Sequence, residues 1–175
     1  DNFILLGRVE DIGHIPVDMA VRYGATGPVL RGSGVAYDVR RAEPYSVYPG
    51  LDFVVPTSDR TDALGRYLVR MQELEQSLNI VEQAVAQIPA GDIQAKMPKK
   101  PKVPAGEVFF AVEGARGKIG CYLQSNGSGS PYRVKLRAPS FSNLSLFAEL
   151  SQGTLLADAV SILGSLDLVI PEIDR

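Results

Sequence analysis

Histidine and cysteine are nearly absent from the 175-residue chain, which contains one of each, His14 and Cys121. A disulfide needs two cysteines, and zinc or iron–sulfur sites usually take about three or four Cys or His ligands. These counts exclude an internal disulfide and argue against a metal centre built from Cys and His. Neither positive nor negative charge is in large excess, because the chain has 18 basic and 20 acidic side chains. We therefore expect no nucleic-acid partner.

Long hydrophobic runs are also absent. The most apolar region, residues 155–169, is interrupted by Asp158, Ser161, Ser165 and Asp167, so no membrane span is expected. The first residues, 1–6, have neither a basic start nor a long apolar stretch, which excludes a signal peptide in this part. The hydrophobic content of 45 % is typical of a folded domain. We expect a soluble chain that is a piece of a longer one.

Residues 1–56 predict a short helix followed by a turn-rich segment. Pro16 suits the first turn of a helix over residues 16–24, and Gly24 suits its C-terminal end. From residue 24 to residue 56, glycine and proline are too frequent for long regular elements. The same segment has too many aromatic side chains for a linker. We therefore expect an ordered surface loop.

Apolar residues recur three and four positions apart through residues 57–89, the spacing of one face of a long amphipathic helix. They are Leu64, Tyr67, Met71, Leu74, Leu78, Val81, Val85 and Ile88. Ser58 or Thr61 can cap the start of this helix, and Pro89 marks its end. The stripe can bind a partner or pack in the core, and the spacing favours core packing because a bundle helix needs such a seam.

Residues 90–106 predict a linker rich in proline and lysine. Its lysines are Lys96, Lys99, Lys100 and Lys102. Such a tract can bind nucleic acid or anionic lipid, but without interleaved aromatic residues it favours a solvated loop.

The period changes to two in residues 107–138, which predict a small antiparallel sheet with strands near 108–112, 119–123 and 132–136. Arg133, Lys135 and Arg137 give this sheet one wet, basic face. Residues 139–175 return to helical spacing, with an apolar run that ends at Gly164 and a polar tail after it. The fold class predicted is α+β and predominantly helical, within a single domain that is truncated at its N-terminus.

Few side chains indicate chemistry by themselves. Gly127-Ser128-Gly129 lies between two predicted strands, so a turn is favoured over a dinucleotide-binding loop. His14 has no nucleophile motif near it and is interpreted as a packed or surface residue, and Cys121 as an inert buried thiol. The acids of the tail, Asp167, Glu172 and Asp174, can bind a hard cation, move protons, or form an ordinary solvated terminus.

Three groups of longer motifs carry more information. The first comprises residues 30–41, Pro44-Tyr45 and residues 52–56, and the second comprises residues 66–71 and 76–78. The third comprises residues 131–141, 156–160, 164–167 and 172–175. Together they resemble the C-terminal part of the quinone-site subunit of the proton-pumping NADH–quinone oxidoreductase, respiratory complex I. The resemblance implies a fold like that of the large subunit of nickel–iron hydrogenases.

That relation raises a hydrogenase function as an alternative. Hydrogenases of this type end in a Cys-x-x-Cys metal motif that follows Asp-Pro. On the tail of this chain Asp167 keeps the Asp, Leu168 takes the place of the Pro, and Val169 and Glu172 replace the two cysteines. A nickel–iron site requires soft thiolate ligands, so a membrane-bound hydrogenase is disfavoured. A structural adaptor without redox function is the other alternative.

The resemblance places a quinone cavity where the hydrogenase metal would lie. Asp167 and Val169 match positions that border this cavity, and Leu168 and Gly164 are weaker candidates. Apolar residues suit the quinone ring and tail, and a carboxylate can take part in proton coupling. Simple packing of the tail is the alternative for all four residues. The chain departs from the family pattern at Lys118, where Glu is expected, and at Ile170-Pro171, which replace Phe-Gly.

The resemblance also implies the surroundings of the chain. The quinone-headgroup His and Tyr belong to the N-terminal part of the family, so no catalytic residue is expected here and this chain alone should be inactive. No cofactor or metal is expected on the chain, since NADH, FMN and the iron–sulfur clusters bind to other subunits. The expected partners are quinone, the peripheral-arm subunits, including the one that carries the terminal iron–sulfur cluster, and the membrane-arm subunits. The expected location is peripheral, at the cytoplasmic face of a bacterial inner membrane.

Overall fold

The structure, a computed structural model, describes residues 2–96, 98 and 103–174 and is α+β with helix predominating. The helices are α1 (Phe3–Val9), α2 (Val17–Arg22), α3 (Pro28–Arg31), α4 (Val39–Ala42), α5 (Ala63–Gln87), α6 (Pro139–Leu144), α7 (Phe147–Leu150), α8 (Leu156–Leu166) and α9 (Ile170–Ile173). The strands are β1 (Gly106–Gly114), β2 (Gly117–Ser125) and β3 (Arg133–Arg137), and a 3-10 turn covers Tyr48–Gly50. In the described part of the chain, no helix combines the length and hydropathy that a membrane span requires.

The expectation of a surface loop after residue 24 is wrong for residues 25–33, which are all buried. Gly27, which precedes α3, has a φ of 65°, a conformation that favours glycine. Pro28 is the first residue of α3, where the N–H that proline lacks would have no partner within the helix. Val29 and Leu30 of α3 join the main core with side chains of α2, α7 and α8. The glycines and prolines here turn the chain into the core rather than keep it at the surface.

Helix α5 confirms the long helix but starts later than expected. The Asp62 side chain, rather than Ser58 or Thr61, caps it by accepting the Gly65 N–H at 2.7 Å. The buried residues of α5 all lie in its first two turns and are Ala63, Leu64, Gly65, Arg66 and Val69. The expectation that the apolar stripe packs in the core is therefore wrong beyond Leu64. From Tyr67 to Ile88 the stripe residues are 43–70 % exposed.

The sheet has the order β1-β2-β3 with antiparallel pairing throughout, as predicted. The register places Val108, Leu123 and Val134 in one row and Phe110, Cys121 and Leu136 in the next, on one apolar face. The other face bears Arg133, Lys135 and Arg137, so the predicted basic face is confirmed. The apolar face is only partly covered, and Cys121 is accordingly half-buried rather than buried as expected.

The C-terminal helices form the second half of the core. Leu146, Leu150, Ile162 and Leu166 are buried there. Helix α8 continues past Gly164, where the sequence predicted its end, to Leu166. The expected polar tail contains the short helix α9, which contacts α6.

The described residues of the predicted linker, 90–96, 98 and 103–106, are exposed, and of these only Gly106, the first residue of β1, belongs to a helix or strand. This agrees with a solvated loop. Lys99, Lys100 and Lys102 of that prediction lie outside the described residues.

Candidate functional site at the end of helix α8

Asp167 ends helix α8 in a left-handed conformation, with a φ of 52°. Asp tolerates this conformation better than most side chains do. Arg116, in the turn between β1 and β2, donates two hydrogen bonds to Asp167. Its Nε donates to the Asp167 carbonyl at 2.9 Å, and its Nη2 donates to the Asp167 carboxylate at 3.1 Å. The sheet turn therefore fixes the position of a carboxylate that is still 41 % exposed.

Three cavities meet at Asp167. The first, the apolar groove, has a volume of 690 Å³. It is lined by Leu144, Phe147, Val160, Leu163, Gly164, Asp167, Leu168, Ile170 and Ile173. The second, the arginine pocket, has a volume of 470 Å³, and its lining combines apolar residues with Arg8, Arg70 and Ser161. A third pocket of 310 Å³ reaches from Asp167 to Glu73. One carboxylate thus borders both an apolar and a charged space.

The four predicted site residues divide into two groups. Gly164, Asp167 and Leu168 line the apolar groove, and Gly164 and Asp167 also line the arginine pocket. Val169 is not among the described residues that line either space. Its N–H donates to Ser140 Oγ at 3.2 Å, and Ser140 in turn donates to Glu172. Val169 therefore lies where the tail is attached to α6.

Two arginines of α5 were not predicted as site residues: Arg66, which is fully buried, and Arg70, which is half-buried and lies beside Asp167. Arg66 donates to Ser165 Oγ at 2.8 Å and to the Thr61 carbonyl at 3.0 Å, both neutral acceptors. Burial lowers the pKa of Arg66 to about 9, helped by the charge of Arg70, so it remains protonated at neutral pH. Arg70 lies 3.9 Å from Asp167, and its buried Nε has no hydrogen-bond partner among the described residues. Burial lowers the pKa of Arg70, and the charge of Asp167 opposes this.

A buried ion cluster lies behind the third pocket. Arg31 of α3 is 1 % exposed and donates to Glu73 at 2.5 Å and to Glu113 at 2.8 Å. Burial raises the pKa of Glu73, and the positive charge of Arg31 opposes this. Burial alone would lower the pKa of Arg31, but Glu73 and Glu113 outweigh it and raise the pKa. No local pattern could reveal this cluster, because its members come from α3, α5 and β1.

The chain is similar to known proteins over its whole length. A family model described as the respiratory-chain NADH dehydrogenase 49 kDa subunit matches residues 1–101 and 97–175. The chain belongs to this family. It is 57 % identical to an NADH-quinone oxidoreductase subunit of Opitutus terrae, covering all of this chain and 44 % of that protein.

Other members of the family are similar over the same length. A relative from Desulfotalea psychrophila, also named as an NADH-quinone oxidoreductase subunit, is 54 % identical, covering all of this chain and 47 % of the relative. Another from Syntrophobacter fumaroxidans is 51 % identical, covering 99 % of this chain and 47 % of the relative. The predicted resemblance to this part of respiratory complex I is confirmed. The chain spans less than half the length of these relatives.

The departures from the family pattern have different surroundings. Lys118 forms an ion pair of 2.5 Å with Glu43 and donates to the Tyr37 hydroxyl at 3.1 Å. The hydrogen bond with Glu43 raises the pKa of Lys118 and lowers that of Glu43. This departure therefore joins β2 to the residue that follows α4. Ile170, in contrast, lines the apolar groove itself.

The remaining candidates do not join the site. His14 is exposed, with its Nδ1 2.9 Å from Thr61 Oγ1, as expected for a surface residue. Glu172 accepts the hydroxyl of Ser140. Within the described ranges, His, Cys, Asp and Glu side chains form no group of three or more that could hold a metal ion.

Proposed function

We propose that this chain is part of the quinone-site subunit of a proton-translocating NADH–quinone oxidoreductase, and that it supplies scaffold and one wall of the quinone cavity. The observation that carries the proposal is the junction at Asp167 of an apolar groove and a pocket lined by arginine. An apolar groove suits a quinone ring and its tail, and a few polar groups at one end orient such a ligand.

The charges around Asp167 suit the reduction of a quinone. Reduction adds two electrons and two protons, and negative charge develops on the quinone oxygens before they are protonated. Arg70 and Arg116 are positive, while Asp167 is the acid between them, so the local balance favours a developing anion. A carboxylate that remains partly exposed can also exchange a proton with a bound ligand. The electrons would come from the terminal iron–sulfur cluster on a neighbouring subunit.

The setting of the chain is part of the same proposal. NADH, FMN and the iron–sulfur clusters would bind to other subunits, and quinone would be the substrate. The chain would contact other peripheral-arm subunits and the membrane arm, at the cytoplasmic face of a bacterial membrane. The architecture would be that of nickel–iron hydrogenase large subunits. A hydrogenase activity is disfavoured because Val169 and Glu172 replace the two thiolate ligands.

Replacing Asp167 with Asn in the full-length protein, within the assembled complex, tests the proposal. We expect quinone reductase activity to fall by roughly 100-fold, the range for loss of an acid–base group. Oxidation of NADH by a water-soluble acceptor that bypasses quinone should not change, because the upstream cofactors lie elsewhere. Asp18→Asn, on the exposed face of α2, is the matched control and should keep both activities. Unchanged quinone reductase activity and inhibitor sensitivity in Asp167→Asn would remove Asp167 from the site.

A further inference from the structure

Glu73 of α5 is a largely buried acid that the proposed function does not use. Its Oε1 accepts the Arg31 Nε at 2.5 Å, and its Oε2 accepts no hydrogen bond from the described residues. Asp167 is similar, because its Oδ1 accepts Arg116 Nη2 at 3.1 Å while its Oδ2 lies 3.9 Å from Arg70 Nε, too far for a hydrogen bond. Each acid therefore keeps one oxygen that can exchange a proton.

The third pocket connects these two acids. Both Glu73 and Asp167 line it, and its volume is 310 Å³. A water molecule takes about 30 Å³ in the liquid, so the pocket has room for several. The other lining residues include the small side chains of Ser77 and Ala115. Water between two carboxyl groups forms a path along which a proton can move.

The charges around Glu73 leave a place for one proton. Arg31 also donates to Glu113 at 2.8 Å, and Asp38 pairs with Arg40 at 2.6 Å, so two arginines face three carboxylates. Glu73 is the most accessible of the three acids, with 17 % of its side chain exposed, whereas Glu113 is 3 % exposed and Asp38 is 1 % exposed. Arg31 keeps Glu113 as its partner when Glu73 is protonated.

The pKa of Glu73 is shifted in the direction that a proton donor needs. Burial raises this pKa, the positive charge of Arg31 opposes the rise, and the negative charge of Glu113 adds to it. The charged groups that face Glu73 from the surrounding elements are Arg31 of α3, Arg40 of α4, Arg70 of α5, Glu113 of β1, Arg116 of the turn between β1 and β2, and Asp167. Glu73 therefore holds a proton at higher pH than an ordinary glutamate does.

We propose that Glu73 resupplies Asp167 with protons through water in the third pocket during quinone reduction. This rests on the proposed function. For each electron that the quinone receives from the iron–sulfur cluster of the neighbouring subunit, one proton passes from the Asp167 carboxyl to a quinone oxygen, which leaves Asp167 as a carboxylate. Glu73 then gives its proton through the water to Asp167 and takes another from bulk solvent. Two such cycles supply the two electrons and two protons of the quinol.

Glu73→Gln in the full-length protein, within the assembled complex, tests the proposal. We expect kcat for quinone reduction to fall by about 10-fold at an unchanged quinone KM, less than for Asp167→Asn because water can still reach Asp167 slowly. The solvent deuterium isotope effect on kcat should rise, because proton transfer becomes rate-limiting, and a purely structural role gives no such rise. Glu73→Asp keeps a carboxyl group and should recover part of the loss. Glu75→Gln, exposed and two residues further along α5, is the matched control and should behave as wild type.

Ser77→Leu covers the case in which Glu73→Gln does not assemble. It narrows the third pocket without changing a charge, so kcat should fall and the isotope effect should rise. A wild-type isotope effect in Glu73→Gln, or in Ser77→Leu where Glu73→Gln does not assemble, would overturn the proposal. If Asp167→Asn is impaired in the same assay, that result overturns the proton path alone and leaves the proposed function standing. A normal Asp167→Asn would overturn both.

Discussion

At the scale of single residues, Asp38 shows how a buried acid is kept charged. It is 1 % exposed, caps α4 by accepting the Arg40 N–H at 2.8 Å, and pairs with the Arg40 guanidinium at 2.6 Å. Burial alone would raise the pKa of Asp38, but the hydrogen bonds and charge of Arg40 outweigh it and lower the pKa. The ionised form is therefore stabilised by folding, although the side chain is almost fully enclosed.

This makes Asp38 a source of pH-dependent stability. Its pKa is lower in the folded state than in the unfolded state, so its contribution is present above the unfolded pKa of about 3.9 and is lost as pH falls through the folded value. We expect Asp38→Asn to lower the free energy of unfolding at pH 7 by roughly 3 kcal/mol, since it leaves buried positive charge without its partner. Urea unfolding of the full-length protein at pH 7 and pH 3 measures this.

The difference between wild type and Asp38→Asn should shrink at the lower pH. Asp52→Asn, at an exposed position, should give a difference near zero at both pH values. A difference for Asp38→Asn that is as large at pH 3 as at pH 7 would contradict the assignment of the effect to the ionised carboxylate.

Also at this scale, the sequence predicted part of the candidate site. The resemblance to the quinone-site subunit indicated Gly164, Asp167 and Leu168, which do share one groove. It could not indicate Arg116, because that residue is separated from Asp167 by 51 positions and is joined to it by the fold alone. Arg70 was part of a quoted motif but carried no predicted role, since its burial beside Asp167 is a tertiary property.

At the scale of elements, periodicity predicted what each element is better than where it packs. The spacing of three and four identified α5, and alternation identified the three strands. The cap of α5 was missed because Thr61 has a left-handed φ of 60°, and Asp62 takes the extended conformation that a cap needs. The prediction that the apolar stripe of α5 is buried in the core was wrong beyond Leu64. An apolar helix face indicates a contact without indicating which part of the protein makes it.

The turn between β1 and β2 is an element whose geometry supports the site. Gly117 has a φ of 123°, and a Cβ there would lie 2.6 Å from the Gly27 nitrogen. The turn can therefore approach α3 this closely only without a side chain, and Arg116 beside it reaches Asp167 from that position. The positive φ of Gly117 and its close approach to Gly27 both restrict this position to glycine.

Gly117→Ala should consequently lower stability by about 1–3 kcal/mol, the cost of a left-handed residue combined with overpacking. Thermal unfolding of the full-length protein measures this. Gly129→Ala is the matched control, because a Cβ at Gly129 would meet no atom within 4 Å. It should change stability by less than about 0.5 kcal/mol. Similar losses of stability in Gly117→Ala and Gly129→Ala would show that the contact between the turn and Gly27 is not rigid.

At the scale of the whole molecule, the buried ion cluster joins parts that are distant in sequence. Arg31 links α3 to Glu73 of α5 and to Glu113 of β1, and Glu113 accepts the Val39 N–H at the start of α4. Hydrophobic contacts join α2, α3, α7 and α8 in the main core. The sheet and the long helix are therefore connected to that core in part through charge.

A double-mutant cycle measures how strongly the cluster couples these parts. Arg31→Met leaves two buried carboxylates without their cation and should cost about 3–5 kcal/mol. Combining it with Glu113→Gln should cost less than the sum of the two single changes, with a coupling of roughly 2 kcal/mol for groups in direct contact. The exposed pair Arg22 and Glu149, 3.4 Å apart, provides the control cycle, Arg22→Met with Glu149→Gln. Its coupling should be below about 1 kcal/mol, because solvent screens an exposed pair. A buried coupling no larger than the exposed one would mean that packing, and not charge, connects the sheet to the core.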